Sequence, residues 1–235
     1  MRRVLHKLIV GKGQAPGHMP HSTIRRRWEN VVAIWNNTYE EDAGLEKVIR
    51  LGLAFSQFLF PGMYIKHLFW PKGPLYQDLA TESFVLVKVM LPLIILHEGW
   101  QTHPVVVLLL AWFMLETVLY IPTLIFASDV FATPRSYRRA TLMLFLNYLE
   151  VVFTFAVIYA SGVHLNRPLE HWTEAVYFSI VTSSTIGFGD IYPVTTLGRM
   201  LVMLQSLFYL SYIVLFINFF GIRTGRGYFK NDGGR

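Results

Sequence analysis

The 235-residue chain is 53% hydrophobic, is only 15% charged and has a net charge of +6 at pH 7. This composition excludes a soluble domain of this size and predicts an integral membrane protein. Because the chain has no cysteine, disulfide frameworks and thiolate metal sites are also excluded. The positive charge is typical of basic cytoplasmic loops, so we expect anionic lipid headgroups at these loops and no nucleic-acid partner.

The amino-terminal part, residues 1–50, is predicted to be a basic cytoplasmic region. Between Ile24 and Tyr39, apolar residues recur at helical spacing beside three consecutive arginines. This pattern indicates either an amphipathic helix on the inner membrane surface or a docking helix in solution. The following segment, residues 51–78, is apolar but contains Pro61 and Gly62. We therefore expect it to be interfacial or re-entrant, with a bend at these two residues.

Cleaner apolar spans follow, each near the length of about 20 residues that crosses a bilayer. They cover approximately residues 79–98, 104–127, 141–163 and 197–221. The first two form a predicted two-helix membrane domain, residues 79–127. Residues 128–140 form a basic linker that the positive-inside rule places in the cytoplasm, together with the tail, residues 223–235. An even number of spans puts both termini inside, and this parity favours the re-entrant interpretation of residues 51–78.

A segment between the last two spans, residues 164–193, has a different pattern. It contains a helical stretch from about Glu170 to Ser184 that is too short to cross a membrane. We expect a half-helix that turns at Thr185 and returns as an extended chain, because irregular backbone persists at membrane depth only where it lines a cavity. Gly187 and Gly189 occupy alternate positions, where free backbone angles let successive carbonyls point the same way.

The residues after the half-helix read TIGFGD, followed by IYPVT and, shortly afterwards, Gly198 and Arg199. This stretch resembles the potassium-channel signature TVGYG, and its flanks resemble the pore domain of two-helix bacterial potassium channels. The resemblance covers somewhat under half of the chain. It implies an all-α membrane protein with four transmembrane helices, a re-entrant pore helix and an extended filter. The pore domain is then residues 141–222, and the assembly is a C4 homotetramer.

The resemblance also implies the residues of the ion site. The filter would be Thr185, Ile186, Gly187, Phe188 and Gly189, with K⁺ held at the first four of these and no cofactor. One strand supplies a quarter of each ring of carbonyl oxygens, so the site needs four chains. Asp190 would lie at the outer mouth.

Further residues are expected to support the filter, namely Tyr177, Val181 and Thr182 beside Asp190. Tyr177 replaces a tryptophan found in many relatives, and its hydroxyl is able to reach Asp190. Val181 stands where some bacterial relatives have a glutamate. Phe188 lacks the hydroxyl of the family tyrosine, which often braces the filter.

Three charged residues, Lys88, Glu116 and Glu150, fall inside the predicted spans. Charges at this depth normally face partners or water, so an ion pair between Lys88 and either glutamate is expected. The alternative is that Lys88 snorkels to the inner surface while a glutamate is protonated or hydrogen-bonded. A voltage sensor needs arginines at every third position of a span, and none of the spans before the pore has such an array.

The sequence thus predicts a K⁺-selective channel subunit that conducts passively and is not an enzyme. A bacterial inner membrane is the expected location, given the prokaryotic resemblance. The alternatives are a non-selective cation channel of the same architecture and a non-conducting membrane scaffold or regulatory subunit.

Overall fold

The structure is a computed structural model that describes residues 23–36, 38, 44–126 and 137–221. The α-helices in this part are α1 Thr23–Trp35, α2 Gly44–Ser56, α3 Pro61–Leu68, α4 Pro74–Glu98, α5 Pro104–Phe126, α6 Tyr137–Ala160, α7 Trp172–Ser183 and α8 Thr196–Gly221. Short 3₁₀ turns cover Gln57–Leu59, Trp70–Lys72 and Trp100–Thr102. The predicted tail, most of the predicted linker and residues 1–22 lie outside the described residues.

Within the described ranges, four helical stretches are long and apolar enough to cross a membrane: Pro74–Glu98, Pro104–Leu124, Arg139–Ala160 and Thr196–Ile217. The count becomes five if the bent pair Gly44–Leu59 and Pro61–Lys72 is taken as one span. The predicted all-α membrane fold is confirmed, and the helix bounds lie close to the predicted spans. The fourfold assembly stays a prediction.

Proline and glycine set the bounds of the membrane helices. Pro74 and Pro104 each stand at the first position of a helix. An N–H at this position has no acceptor within the helix, so proline loses no hydrogen bond there, and its fixed φ suits the helix. Gly99 follows the end of α4 with a φ of 76°, the left-handed conformation that often ends a helix. The connection between α4 and α5 is therefore short and fixed by local backbone chemistry.

Two compact units divide the described chain near Val87. In the first, α1 packs against α2 through a small apolar cluster in which Ile34 and Ala54 are buried. The chain bends by 63° between α2 and α3, where Phe60 is extended and Pro61 begins the new helix. The bend lies at the predicted proline, but α2 begins at Gly44, before the start of the segment predicted at residue 51.

The second unit begins at Lys88 and contains the core around the predicted pore segment. Side chains of α5, α6, α7 and α8 form this core, including Tyr159, Phe178 and Phe208. An antiparallel bridge between Leu165 and Pro193 joins the chain before α7 to the chain after the filter segment. The bridge therefore brings together the two ends of the segment that contains α7 and the residues after it.

Candidate ion-coordinating site

The helix α7 corresponds to the predicted half-helix and is too short to cross a membrane. Its 12 residues extend about 18 Å, which is less than the hydrocarbon thickness of about 30 Å. At its amino terminus, the side chain of His171 accepts a hydrogen bond from Thr173 N. At its carboxyl terminus, Ser184 N donates to Ile180 O at 2.8 Å. Both ends are therefore closed by local hydrogen bonds.

The chain turns directly after α7 by using carbonyls of its last turn. Thr185 N donates to Thr182 O at 3.2 Å, and Ile186 N donates to Val181 O at 3.1 Å. Val181 and Thr182, which the sequence analysis named as supports, thus contact the start of the filter segment through their main-chain oxygens. This contact does not depend on the identity of their side chains.

The backbone angles alternate along the filter segment. φ is positive at Thr185, Gly187 and Gly189, with values of 58°, 58° and 82°, and it is not positive at the two residues between them. A Cβ added at either glycine would meet no atom within 4 Å, so glycine is required here by conformation and not by lack of space. The sequence analysis did not foresee Thr185, a β-branched residue in a conformation that costs about 1–3 kcal/mol.

The side chain of Phe188, in the segment predicted to be the filter (residues 185–189), packs against α7. The rings of Phe188 and Tyr177 are stacked, with centroids 6.4 Å apart and planes within 3° of parallel. The Tyr177 hydroxyl lies near enough to the Asp190 carboxylate to interact with it, and a supporting role for this pair stays a prediction. Apolar surface remains open in the single chain, since Ile186 is 57% exposed and Phe188 69% exposed.

Asn166, which the sequence analysis missed, holds the chain that follows the filter segment. Its Nδ2 donates to Asp190 O at 3.2 Å, and its Oδ1 accepts a hydrogen bond from Tyr192 N at 3.0 Å. The main chain adds a bond from Asn166 N to Tyr192 O at 2.9 Å. One side chain therefore fixes both sides of Ile191, two residues after Gly189, the last residue of the predicted filter.

A buried amide, also missed, joins α7 to both neighbouring spans. Gln205 on α8 donates to Ser179 O at 3.0 Å and to Ser179 Oγ at 2.9 Å, and it accepts a hydrogen bond from the Tyr159 hydroxyl at 2.7 Å. Ser179 in turn donates to Val152 O at 2.6 Å. Each polar side chain in this network has a partner, so α7 is held against α6 and α8 by hydrogen bonds inside an apolar core.

An ion pair covers the amino-terminal end of α7. Two Arg167 nitrogens donate to the two Glu174 oxygens at 2.8 and 3.2 Å, and Glu170 N donates to the same carboxylate at 2.8 Å. These hydrogen bonds, led by those from Arg167, lower the pKa of Glu174. A carboxylate in the first helical turn also favours the helix dipole. The pair stabilises the loop that leads into α7.

The three predicted intramembrane charges meet in the structure. Lys88 Nζ lies 3.1 Å from Glu150 Oε1 and 3.6 Å from Glu116 Oε2. Thr117, which the sequence analysis did not name, bridges the group, since its hydroxyl accepts from Lys88 at 2.8 Å and donates to Glu150 at 2.7 Å. Lys88 is 4% exposed and Glu150 1% exposed. The snorkelling alternative therefore does not describe Lys88.

The part of the chain that the structure describes contains no candidate site for a resident metal ion. No group of three or more histidine, aspartate or glutamate side chains is placed there to hold a metal ion. The predicted permeant ion differs from a resident metal because its ligands would be main-chain oxygens. The coordinating roles of the filter residues stay predictions.

Comparison with known proteins finds a family model for ion channels and a similar potassium channel. Residues 146–226 match the family model described as "Ion channel". A segment of 80 residues is 32% identical to the hyperpolarization-activated voltage-gated potassium channel of Methanocaldococcus jannaschii, and it covers 33% of this chain and 37% of that protein. The chain therefore matches little more than a third of this relative's length. No solved structure is significantly similar to the chain.

The matched region contains α7, the filter segment, α8 and most of α6, so it coincides with the elements that build the candidate site. Both matches are to channels and not to an enzyme. Residues 146–226 of this membrane protein are therefore similar to the pore domain of the superfamily that includes potassium channels.

Proposed function

We propose that this chain is one subunit of a homotetrameric, K⁺-selective channel with its filter at residues 185–189. The observation that carries the proposal is the alternation of φ along these residues, directly after the end of α7. Such alternation allows successive carbonyl oxygens to face one side, as a row of ligands for a dehydrated cation. Conduction would be passive and would need no catalytic step.

The electrostatics of α7 support a cation at the inner end of this row. The carboxyl terminus of a helix carries partial negative charge, and α7 ends at Ser183, two residues before the first filter residue. The Thr185 hydroxyl would close the innermost ring as an additional oxygen ligand. Asp190 at the opposite end places a carboxylate at the proposed outer mouth.

Exposed apolar side chains support the assembly of four chains. Ile186 and Phe188 are more than half exposed beside the filter. On α8, several large apolar residues are exposed by half or more, namely Leu197, Met200, Met203, Leu204, Leu207, Leu210, Val214 and Ile217. A fourfold arrangement would cover part of this surface and would complete each oxygen ring.

The proposed orientation places both termini in the cytoplasm, and the proposed location is a bacterial inner membrane. The basic linker around residues 134–139 and the arginines at the start of α1 would then face anionic headgroups on the inner leaflet. No span before the pore has arginines at every third position. We therefore propose a channel whose opening does not depend on a voltage-sensing helix.

The deciding experiment is a K⁺ flux assay on purified protein in liposomes. We expect barium-sensitive K⁺ uptake, and reversal potentials in mixed K⁺ and Na⁺ that show selectivity for K⁺. Equal permeability to the two ions would favour a non-selective cation channel. Absence of flux would favour a non-conducting scaffold or regulatory subunit.

Gly187→Ala is the matched test of the filter. An alanine with a φ of 58° is strained by about 1–2 kcal/mol, so we expect loss of selective K⁺ flux. The control is Gly52→Ala, since Gly52 lies inside α2, has no positive φ and leaves open space for a Cβ. Unchanged flux in the Gly187→Ala variant would refute the assignment of the filter.

A further inference from the structure

The buried polar cluster of Lys88, Thr117 and Glu150 joins three helices that the proposed conduction mechanism does not require to be joined. Lys88 belongs to α4, Thr117 to α5 and Glu150 to α6. Charges are costly to bury unless each has a partner, and removal of one partner leaves the other uncompensated. The relative positions of these three helices at this depth are therefore fixed by polar contacts.

Glu150 lies on the same turn of α6 that contacts the pore helix. Two residues before it, the Tyr148 hydroxyl donates to Ser183 Oγ at 3.1 Å. Two residues after it, the Val152 carbonyl accepts from Ser179 Oγ at 2.6 Å. These two bonds hold the carboxyl-terminal half of α7, which ends at the filter segment. A displacement of this turn of α6 would consequently displace α7 as well.

The same turn also contacts the inner helix α8. The ring of Tyr148 packs edge-on against the ring of Tyr212, with centroids 5.4 Å apart. Tyr212 is 1% exposed, and within the described residues its hydroxyl has no hydrogen-bond partner. The α6 turn that contains Glu150 is therefore in contact with α8 as well as with α7.

We propose that the cluster of Lys88, Thr117 and Glu150 is a coupling site that transmits the position of α4 and α5 to the pore helix and the inner helix. Glu150 acts as the positioning residue, since it is held by α4 and α5 on one side and lies on the α6 turn that holds α7. This inference rests on the proposed channel function for its electrical readout. The coupling itself is a mechanical property of one chain and has a readout that does not involve conduction.

A purely structural anchor and a coupling site differ in what their removal changes. An anchor would lower thermal stability and leave the behaviour of intact channels unchanged. A coupling site would alter the fraction of time that intact channels are open, and it would change the dynamics of α7. Both quantities are measurable on the full chain.

Thr117→Val is the mildest test because it keeps the volume and both charges and removes only the bridging hydroxyl. We expect a change in open probability in planar bilayers of about fivefold or more, the range typical of coupling between sites. Thr123→Val is the matched control, since Thr123 is a buried threonine of α5 whose hydroxyl donates to Leu119 O in its own helix and, among the described residues, to no other helix. The control should change open probability by less than about twofold.

A double-mutant cycle of Lys88→Met and Glu150→Gln tests the ion pair. Lys88→Met leaves Glu150 without its cation, and Glu150→Gln leaves Lys88 with only the longer contact to Glu116 at 3.6 Å. We therefore expect the double variant to be closer to the wild-type protein than the sum of the two single effects. The second readout is amide hydrogen exchange of residues 172–183 in purified protein, which we expect to be faster in the Lys88→Met and Thr117→Val variants.

The outcomes separate the two proposals. Conducting variants with unchanged open probability and unchanged exchange in α7 would overturn the coupling site. Wild-type protein that does not conduct would overturn the proposed function, and the exchange of α7 would still decide the coupling. Additive effects in the cycle would show that Lys88 and Glu150 act independently and would also contradict the proposal.

Discussion

Asn166 shows how one side chain can fix the chain that follows the proposed filter. Its amide supplies one donor and one acceptor to the main chain on both sides of Ile191. The loop at residues 190–192 has an isolated bridge nearby and no helix of its own, so these bonds are a large part of its local order.

The loss of the amide should loosen this loop. We expect Asn166→Ala to lower stability by about 0.5–1.5 kcal/mol, the net value of a hydrogen bond in a protein, and to reduce K⁺ selectivity. Asn166→Asp should lose less, because it keeps the acceptor for Tyr192 N. Thermal denaturation of the purified assembly and reversal potentials are the two measurements. An alanine variant as stable and as selective as the wild-type protein would contradict this role.

The sequence predicted the glycines of the filter but not the polar residues around it. Gly187 and Gly189 were predictable from the sequence because glycine favours a positive φ and the two glycines occupy alternate positions. Asn166, Gln205 and Thr117 carry no such signal, since an isolated polar residue in a loop or span is common. Some of their partners lie 24 to 46 residues away along the chain, and only the folded structure brings them together.

At the scale of elements, α7 is held between α6 and α8 by the network around Gln205. The half-helix is short, so its own backbone bonds contribute little to its position. The buried network with Tyr159 and Ser179 gives it one defined depth and rotation. The sequence predicted the half-helix from its length and apolar character, but it gave no indication of what orients it.

Removal of this network has a clear expected cost. Gln205→Leu would leave the Tyr159 hydroxyl without its acceptor and Ser179 O without its donor, and a buried unsatisfied group costs about 1–3 kcal/mol. We expect a lower denaturation temperature of the purified protein. Ser206→Ala is the control on the same helix, because the Ser206 hydroxyl donates to Val202 O within α8. Equal stability of the two variants would argue against the network as a stabilising element.

The bend between α2 and α3 was predictable from the sequence. Pro61 has no N–H to donate and restricts the backbone of the residue before it, so a helix cannot easily continue through this position. Gly44–Ser56 is one continuous helix that contains Glu46, Lys47 and Arg50, and it crosses the boundary at residue 50 that the sequence analysis used to divide the chain. These charged residues lie within an amphipathic helix, where one polar face is compatible with continuous helical structure.

At the scale of the whole molecule, topology is open to a direct test because the chain has no cysteine. A single introduced cysteine would be the only thiol. We expect Val163→Cys, which is 89% exposed as valine, to react with a membrane-impermeant maleimide on intact cells. Ser136→Cys and Ser22→Cys should react only after permeabilisation, because both are predicted to be cytoplasmic.

The cysteine-free parent is the control for background labelling. Labelling of Ser22→Cys on intact cells would place the amino terminus outside. The bent pair of α2 and α3 would then be a fifth span, and the predicted parity would be wrong. The purified assembly should also have four times the mass of one chain, which mass photometry in detergent can measure.

Helix number and approximate bounds were predictable because each span needs a certain length of apolar sequence. Helix order in space was not, since the sequence alone left Lys88 free to pair with either glutamate or to snorkel. The structure resolves this by burying Lys88 between both glutamates.

The placement of Lys88 also constrains how the protein is made. A ribosome synthesises α4 before α5 and α6, so the lysine reaches the insertion machinery before either carboxylate exists. A lone lysine at the centre of a helix costs about 2.5–3.5 kcal/mol on insertion scales. The many apolar residues of α4 must offset this cost until α5 and α6 arrive with the carboxylates that neutralise the charge.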